Sequence, residues 1–176
     1  MTPARRAGVA AALLALVAAL VGGGLFLLLR SDDDTAAPGG PLASVLAAAR
    51  PATAPFTGLT EVRLGIGGDC RHIVVADNTE ERATGLMRRS DLGPYDGMLF
   101  VFDKPASSSF TMSEVPVPLD IGWYDAAGRP VDRRLMQPCP DRSVSDCPLY
   151  TSRGPYTYAV ETLGGRLSGG SLSGCS

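Results

Sequence analysis

The chain has 176 residues with 16 basic and 18 acidic side chains, which gives a net charge of −2. The first thirty residues contain three arginines and no acid, so the remainder carries 13 basic and 18 acidic residues. This acidic balance argues against a nucleic-acid partner and against binding to an anionic membrane surface, since both favour basic patches. The length beyond residue 30 suits one domain.

An uncharged segment, Ala7 to Leu29, lies between Arg5-Arg6 and Arg30. As a helix it would be roughly 35 Å long, enough to cross a bilayer. A cleavable signal peptide has a shorter apolar core, of about 7–15 residues, followed by a small-x-small site. We therefore predict a signal-anchor or transmembrane helix over residues 1–30, in a single-pass protein of the cell membrane whose remaining chain is extracytoplasmic. The alternative is secretion after signal cleavage.

The next segment, residues 31–58, has a different composition. It contains four prolines among Ala, Gly and Thr and few large apolar side chains. Such a segment buries too little surface to offset the conformational entropy lost on ordering. We expect a Pro/Ala/Gly-rich tether between the membrane helix and the domain, and residues 42–50 are compatible with a short helix inside it.

The folded domain is expected to begin near Leu59 and to extend to residue 165. Residues 61–66 alternate apolar and polar side chains, and residues 70–76 follow after a glycine turn, so we predict a β-hairpin. The segment 77–80 offers N-capping oxygens before an apolar stripe. This pattern predicts one short helix near residues 78–90.

Strand signals dominate the rest of the domain. Short apolar or alternating segments, separated by turns with Gly and Pro, predict strands at 97–102, 107–112, 119–124, 129–136 and 156–161. The sequence therefore predicts a mainly β (α+β) fold, a compact sandwich-like or barrel-like domain of short strands. A Gly/Ser-rich C-terminal segment, residues 166–176, follows the domain.

All four cysteines lie after the apolar segment, where an extracytoplasmic location permits disulfides. Three pairings are possible. We favour Cys139 with Cys147, which flank a short polar loop, and Cys70 would then pair with Cys175. The competing interpretation is a metal site that uses cysteine and the single histidine, His72. We disfavour it, because the close ligand spacing of zinc sites and a second histidine are absent from the sequence.

Several motifs occur in an order that resembles a known family. They are Gly85-Leu86-Met87-Arg88, Gly97 to Phe102, Phe110-x-Met112, Pro118-Leu119-Asp120-Ile121, Asp125 with Gly128, Pro138-Cys139, Cys147-Pro148-x-Tyr150, and Glu161 followed by Gly165. Together they are similar to the motifs of the family called domain of unknown function 192 (DUF192), over about residues 59–165. The resemblance implies a single compact, mostly β domain, often exported or anchored to a membrane, without an established biochemical activity.

The chain departs from that family in two places. The family commonly has Phe-Trp-Met followed by a basic residue and Asn-Thr, whereas here the segment from Phe110 to Val115 reads FTMSEV. The family also continues with another hydrophobic strand beyond its Glu-x-x-x-Gly. Here the last strand is either missing or replaced by a disulfide of Cys175.

Five residues are candidates for ligand binding. The planar guanidinium of Arg88 suits a carboxylate or phosphate, and Asp120 is a lone carboxylate in an apolar strand that needs a partner if buried. We predict that these two side chains approach each other. A closed pair would be architectural, whereas an open cleft beside Trp123, Phe110 and Met112 would bind a ligand.

No nucleophile elbow, zinc-protease or phosphate-loop motif occurs in the sequence. We therefore predict a binding or accessory domain of the cell envelope without a cofactor or metal. Its partner would be a cell-envelope glycan, a small molecule or a protein. The alternative is a hydrolase acting on envelope material, with Asp120, Glu161 or His72 as acid or base. A purely structural accessory domain is the third interpretation.

Overall fold

The computed structural model describes residues 40–175. The predicted membrane helix, residues 1–30, and the first part of the predicted tether lie outside the described residues. Among residues 40–175, no helix has the length and apolar character needed to span a bilayer.

The described residues form two short helices, ten strands and one 3₁₀ turn. The helices are α1 (Ala43–Ala47) and α2 (Thr79–Thr84), and the 3₁₀ turn is Val144–Asp146. The strands are β1 (Arg50–Pro51), β2 (Thr60–Ile66), β3 (Asp69–Ala76), β4 (Gly97–Ala106), β5 (Phe110–Thr111), β6 (Leu119–Tyr124), β7 (Pro130–Met136), β8 (Leu149–Tyr150), β9 (Tyr156–Leu163) and β10 (Leu172–Gly174). The predicted mainly β class is confirmed.

Eight of the strands form one sheet. Its order is β1-β2-β3-β4-β9-β6-β7, and β10 pairs with β2 on the same side as β1. Neighbours are antiparallel except β3 and β4, which are parallel and are joined through α2. Strands β5 and β8 form a separate two-stranded sheet. The barrel alternative was wrong for the described residues, because the edge strand β7 and the opposite edge at β1 and β10 do not pair with each other.

Apolar side chains project from both faces of the sheet, so each face has its own core. The face that we call the front carries one buried cluster, which includes Val74, Met98, Phe100, Ile121 and Trp123. The face that we call the back carries the other, which includes Leu64, Ile73, Leu99, Val160 and Leu172. Neighbouring residues of β4, β6 and β9 therefore belong to different cores.

The domain begins earlier than the sequence indicated. Leu42 is completely buried in the back core, and Phe56 is 2% exposed in the front core. Helix α1 lies against β2 and β10. The described part of the predicted tether, residues 40–58, therefore belongs to the domain. Its few large apolar side chains, Leu42, Val45 and Phe56, are buried in the two cores of the sheet.

Helix α2 has six residues, fewer than the helix predicted near 78–90. Asn78 is its N-cap: the backbone N–H of Glu81 donates to Asn78 Oδ1, and the Glu81 carboxylate accepts from the N–H of Asp77. The helix ends at Thr84 because Gly85 follows with φ +45°, a conformation that glycine tolerates. A Cβ at Gly85 would also lie 3.3 Å from the Phe100 ring.

Both predicted disulfides are present. Cys139 pairs with Cys147 at a Cα–Cα distance of 6.0 Å, and Cys70 pairs with Cys175 at 5.4 Å. The second bond joins β3 to the end of the chain, directly after β10. The Gly/Ser-rich C-terminal segment thus contributes both a short edge strand and a covalent link.

Candidate functional site

A cleft of about 450 Å³ opens on the front face of the sheet. We call it the Glu161 cleft, because that buried carboxyl contributes to its wall. Its volume falls in the range of about 300–1,000 Å³ that is typical of small-molecule sites. The apolar side chains of the remaining lining come from α2 with its following turn, from β4, from the segment 108–111 and from the position of Val115: Ala83, Leu86, Met87, Phe100, Phe102, Phe110 and Val115.

Strand register places the carboxyl in this cleft. Strand β9 pairs with β4 so that Glu161 is opposite Met98 and Ala159 is opposite Phe100. Directly opposed residues share a face of the sheet, and Met98, Phe100 and Ala159 belong to the front core. Glu161 therefore projects to the front.

Glu161 is 4% exposed. Burial raises the pKa of its carboxyl to about 8, and no hydrogen bond or charged group among the described residues counteracts this rise. The carboxyl is therefore mostly protonated at pH 7. In that state it can donate one hydrogen bond to a bound molecule, and when ionised it can accept hydrogen bonds from a cation.

Arg82 is the other charged side chain on the cleft wall. Its guanidinium donates to the carbonyl oxygens of Asp77 at 2.5 Å and Val101 at 2.8 Å, and it lies over the Phe102 ring, 5.0 Å from the centroid. These contacts fasten α2 to β4. The cation is thus satisfied by groups of the protein and does not form an ion pair with Glu161.

The predicted contact between Arg88 and Asp120 was wrong. Arg88 forms an ion pair with Glu114 at 2.5 Å, and both side chains are substantially exposed. The Asp120 carboxylate instead accepts a hydrogen bond from the backbone N–H of Leu167 at 3.2 Å. The cause is local: the backbone N–H of Arg88 donates to the Glu114 carbonyl at 2.7 Å, which brings those two segments together.

The aromatic and sulfur candidates divide between core and cleft. Trp123 and Met112 are completely buried in the front core. Phe110 lines the Glu161 cleft, and its ring meets Phe100 edge to face at a centroid distance of 5.2 Å. Of the five predicted ligand-binding residues, Phe110 is the one that lies on this cleft. The Trp123 ring contacts the Phe110 ring, with 6.0 Å between the two ring centroids.

The three acid–base candidates do not converge. Asp120 pairs with Thr162 across β6 and β9, whereas Glu161 pairs with Ile121, so the two carboxyls project to opposite faces. His72 lies on β3 with its Nε2 3.2 Å from Glu61. The structure therefore does not assemble the predicted set.

The histidine belongs to a separate polar cluster. The Tyr95 hydroxyl donates to Glu61 at 2.6 Å, and the Tyr95 ring lies 4.6 Å from the His72 ring. The Tyr95 hydrogen bond, followed by the contact with His72, holds the pKa of Glu61 below its usual range. Among residues 40–175, no group of three or more His, Cys, Asp or Glu side chains could hold a metal ion.

Phe100 and Phe102 lie on the cleft but were not predicted to bind a ligand. They belong to the continuous apolar run of β4, in which every second residue shares a face, so Met98, Phe100 and Phe102 lie on the same side of the sheet. Glu161 is a carboxyl within a buried strand. The register between β4 and β9, which places these residues on one face, is not visible in either segment alone.

Comparison with known proteins places this geometry in a family context. The family model DUF192, described as "Uncharacterized ACR", matches residues 62–173. A protein of unknown function from Novosphingobium aromaticivorans is 29% identical, and the match covers 72% of this chain and 94% of that one with a TM-score of 0.58. A Sinorhizobium meliloti protein described as a candidate transcription regulator is 25% identical over 65% of this chain and 92% of its own, with a TM-score of 0.53. A search of curated proteins finds no match.

Proposed function

The chain belongs to the DUF192 family, whose description assigns no activity, and from this premise we propose that it is a membrane-anchored, extracytoplasmic binding domain. Its ligand site is the Glu161 cleft. The observation that carries the proposal is a buried carboxyl that receives no hydrogen bond from the described residues, beside an open apolar cleft of small-molecule size. The Glu161 oxygens are not among the fully enclosed atoms without a hydrogen-bond partner, which are Trp123 Nε1 and Thr162 Oγ1. They face the open cleft, where a ligand can supply a hydrogen bond.

The lining favours one kind of ligand among those considered. Three phenylalanines and the neighbouring aliphatic side chains offer apolar contact, and five hydroxyl side chains, Arg82 and Glu161 supply the polar groups. Because Arg82 already donates to backbone carbonyls, Glu161 is the one ionisable group of the described lining that is free to bind a ligand. We therefore favour a small molecule with an apolar body and one polar group over a glycan.

Binding is also favoured over hydrolysis. A glycosidase of the two-carboxylate kind needs its carboxyls about 5–10 Å apart on either side of one bond. Asp120 and Glu161 project to opposite faces of the sheet, and His72 is held by Glu61. No second acid or base accompanies Glu161 among the described residues that line the cleft, apart from the arginine already described.

The proposed location is supported by two features. The first is the 23-residue uncharged segment at the N-terminus, and the second is the pair of disulfides, which persist in oxidising compartments. N-terminal sequencing of the protein from a membrane fraction tests the location. We expect a chain that retains residues 7–29, and a mature chain that begins beyond Leu29 would contradict anchoring.

Binding in the cleft is tested with benzyl alcohol, a neutral aromatic probe. We expect its titration into the full-length chain to shift backbone amide NMR signals around Leu86, Met87 and Phe110. Ala83→Phe should fill the cleft and weaken these shifts at least fivefold. The matched control is Ala127→Phe, which places the same ring on an exposed turn away from the cleft. The proposed site would be contradicted if the Ala83→Phe variant showed the same NMR shifts as the unmodified chain, or if benzyl alcohol did not bind.

A further inference from the structure

We infer that the Glu161 cleft selects an organic cation, namely a protonated amine on an apolar body, held by the Glu161 carboxylate against the Phe100 and Phe110 rings. The inference rests on the proposed function, because it names the ligand class of the same cleft. Two observations support it: which charged side chains line the cleft, and which of them are already hydrogen-bonded to other groups of the protein.

The only acidic side chain on the described lining is Glu161, and no described residue donates a hydrogen bond to it. The only basic side chain there is Arg82, whose guanidinium already donates to two backbone carbonyls and covers the Phe102 ring. An anionic ligand would find no free cation and would lie beside a carboxyl. A cationic ligand would donate a hydrogen bond to the Glu161 carboxylate and form an ion pair with it.

The aromatic rings supply a second attraction. Phe100 and Phe110 meet edge to face on the cleft wall. The face of an aromatic ring carries negative potential and attracts an ammonium group, more strongly where water is excluded. The Arg82 guanidinium over Phe102 is such a contact within the same cleft wall. A carboxylate combined with aromatic rings therefore distinguishes an amine from a neutral compound of equal size.

Binding of a cation must be coupled to loss of a proton. Glu161 has a pKa of about 8 in the free protein, so ionising it at pH 7 weakens binding about tenfold. The groups that face it are Met98 of β4 and Ile121 of β6 at paired positions, Arg82 of α2, and hydroxyl and apolar side chains from the turn after α2 and from segment 108–111. Since Glu161 is the only carboxyl among these groups and none of them is a histidine, the pH response belongs to Glu161.

The test compares benzylammonium with benzyl alcohol, which differ in charge but hardly in size. Isothermal titration of the full-length chain at pH 7, in two buffers with different ionisation enthalpies, should show benzylammonium binding at least tenfold more tightly. Close to one proton should be released per benzylammonium bound. Its affinity should rise about tenfold between pH 6 and pH 7 and level off above pH 8, whereas the affinity for benzyl alcohol should stay constant.

Two variants distinguish an effect of the Glu161 carboxyl from an effect of the protein's net charge. Glu161→Gln should lose most of the preference for benzylammonium and all of its pH dependence, because it keeps the aromatic rings but cannot carry the charge. Asp103→Asn removes one negative charge from an exposed position of β4 and should retain the preference for benzylammonium. If Glu161→Gln does not fold, the pH series on the unmodified chain decides the question.

The two proposals fail in different ways. Binding of both compounds in the cleft with equal affinity, or benzylammonium affinity that does not change between pH 6 and pH 8, would overturn the amine inference and leave the binding site intact. No binding of either compound to the folded chain would overturn the proposed function as well.

Discussion

Asp120 and Glu161 lie on neighbouring strands but project to opposite faces of one sheet. The register pairs Asp120 with Thr162 and Glu161 with Ile121. Asp120 is partly exposed and accepts a hydrogen bond from the Leu167 backbone. Glu161 is buried beside the front cleft. The same strand pair thus separates a carboxylate with a structural partner from one that is available to a ligand.

The buried carboxyl predicts an unusual dependence of stability on pH. Folded Glu161 keeps its proton up to a pH of about 8, whereas the unfolded chain loses it near the ordinary value of 4.5. The unfolded state binds fewer protons between these values, so the free energy of unfolding should fall as pH rises through that window. Glu161→Gln removes this dependence. In urea unfolding, the free energy of unfolding of the variant relative to that of the unmodified chain should rise by on the order of 2 kcal/mol between pH 6 and pH 9. Parallel pH profiles would contradict the assignment.

Asp132 is predicted to act in the opposite direction. Its side chain has no exposed surface and accepts from Arg153 Nη2 at 2.9 Å and Nε at 3.1 Å. These hydrogen bonds are the main cause that lowers the pKa of Asp132 to about 2. Its stabilising contribution is complete above pH 4 and should be lost as pH falls from about 4 to 2.

Replacement of this carboxylate tests the same contact. Asp132→Asn should cost about 1–3 kcal/mol of unfolding free energy at pH 7, because it weakens hydrogen bonds to a charged group. The exposed Asp103→Asn serves as the control and should stay within about 0.5 kcal/mol of the unmodified chain. Chemical denaturation measures both. A loss no larger than that of the control would show that the link between β7 and the segment before β9 contributes little.

The two disulfides should contribute unequally. Cys70 and Cys175 are separated by 105 positions, and Cys139 and Cys147 by 8. In the chain-entropy model, losing the first bond costs about 4–5 kcal/mol and losing the second about 2–3 kcal/mol. Urea unfolding of the paired serine variants Cys70→Ser/Cys175→Ser and Cys139→Ser/Cys147→Ser gives the comparison. A larger loss for the short loop would contradict this order.

Arg88 offers a test of backbone strain against an exposed ion pair. Its φ is +58°, in the left-handed region that disfavours residues other than glycine, and its partner Glu114 is also exposed. Arg88→Gly and Arg88→Ala lose the same ion pair, but only glycine relieves the backbone. We expect the glycine variant to be about 1 kcal/mol more stable than the alanine variant in thermal unfolding. Equal stabilities would show that the turn imposes no strain.

Much of the fold follows from local sequence patterns. The alternation in β2 and the turn after it predicted the first hairpin, and the capping residues before α2 predicted where the helix begins. The cysteine pairs followed from their spacing and from the small number of alternatives. These features depend on residues that are close in sequence or on a covalent constraint.

The site was harder to predict because it depends on register. Shifting one strand by a single residue moves each of its side chains to the other face. The sequence offers no means to align β9 with β4 or β6, and it does not show which acidic residue lies beside Arg88. Helix α2 ends before Gly85, and Arg88 in the following turn contacts Glu114. The pairing of Glu161 with Met98 places the Glu161 carboxyl on the face that carries the cleft.

Intermolecular NOEs between benzyl alcohol and the full-length chain locate the bound molecule and so decide whether it binds beside Glu161. We expect NOEs from the ring protons of benzyl alcohol to the side chains of Met87, Phe100 and Phe110, all of which line the cleft. NOEs confined to residues elsewhere on the domain would contradict binding beside Glu161.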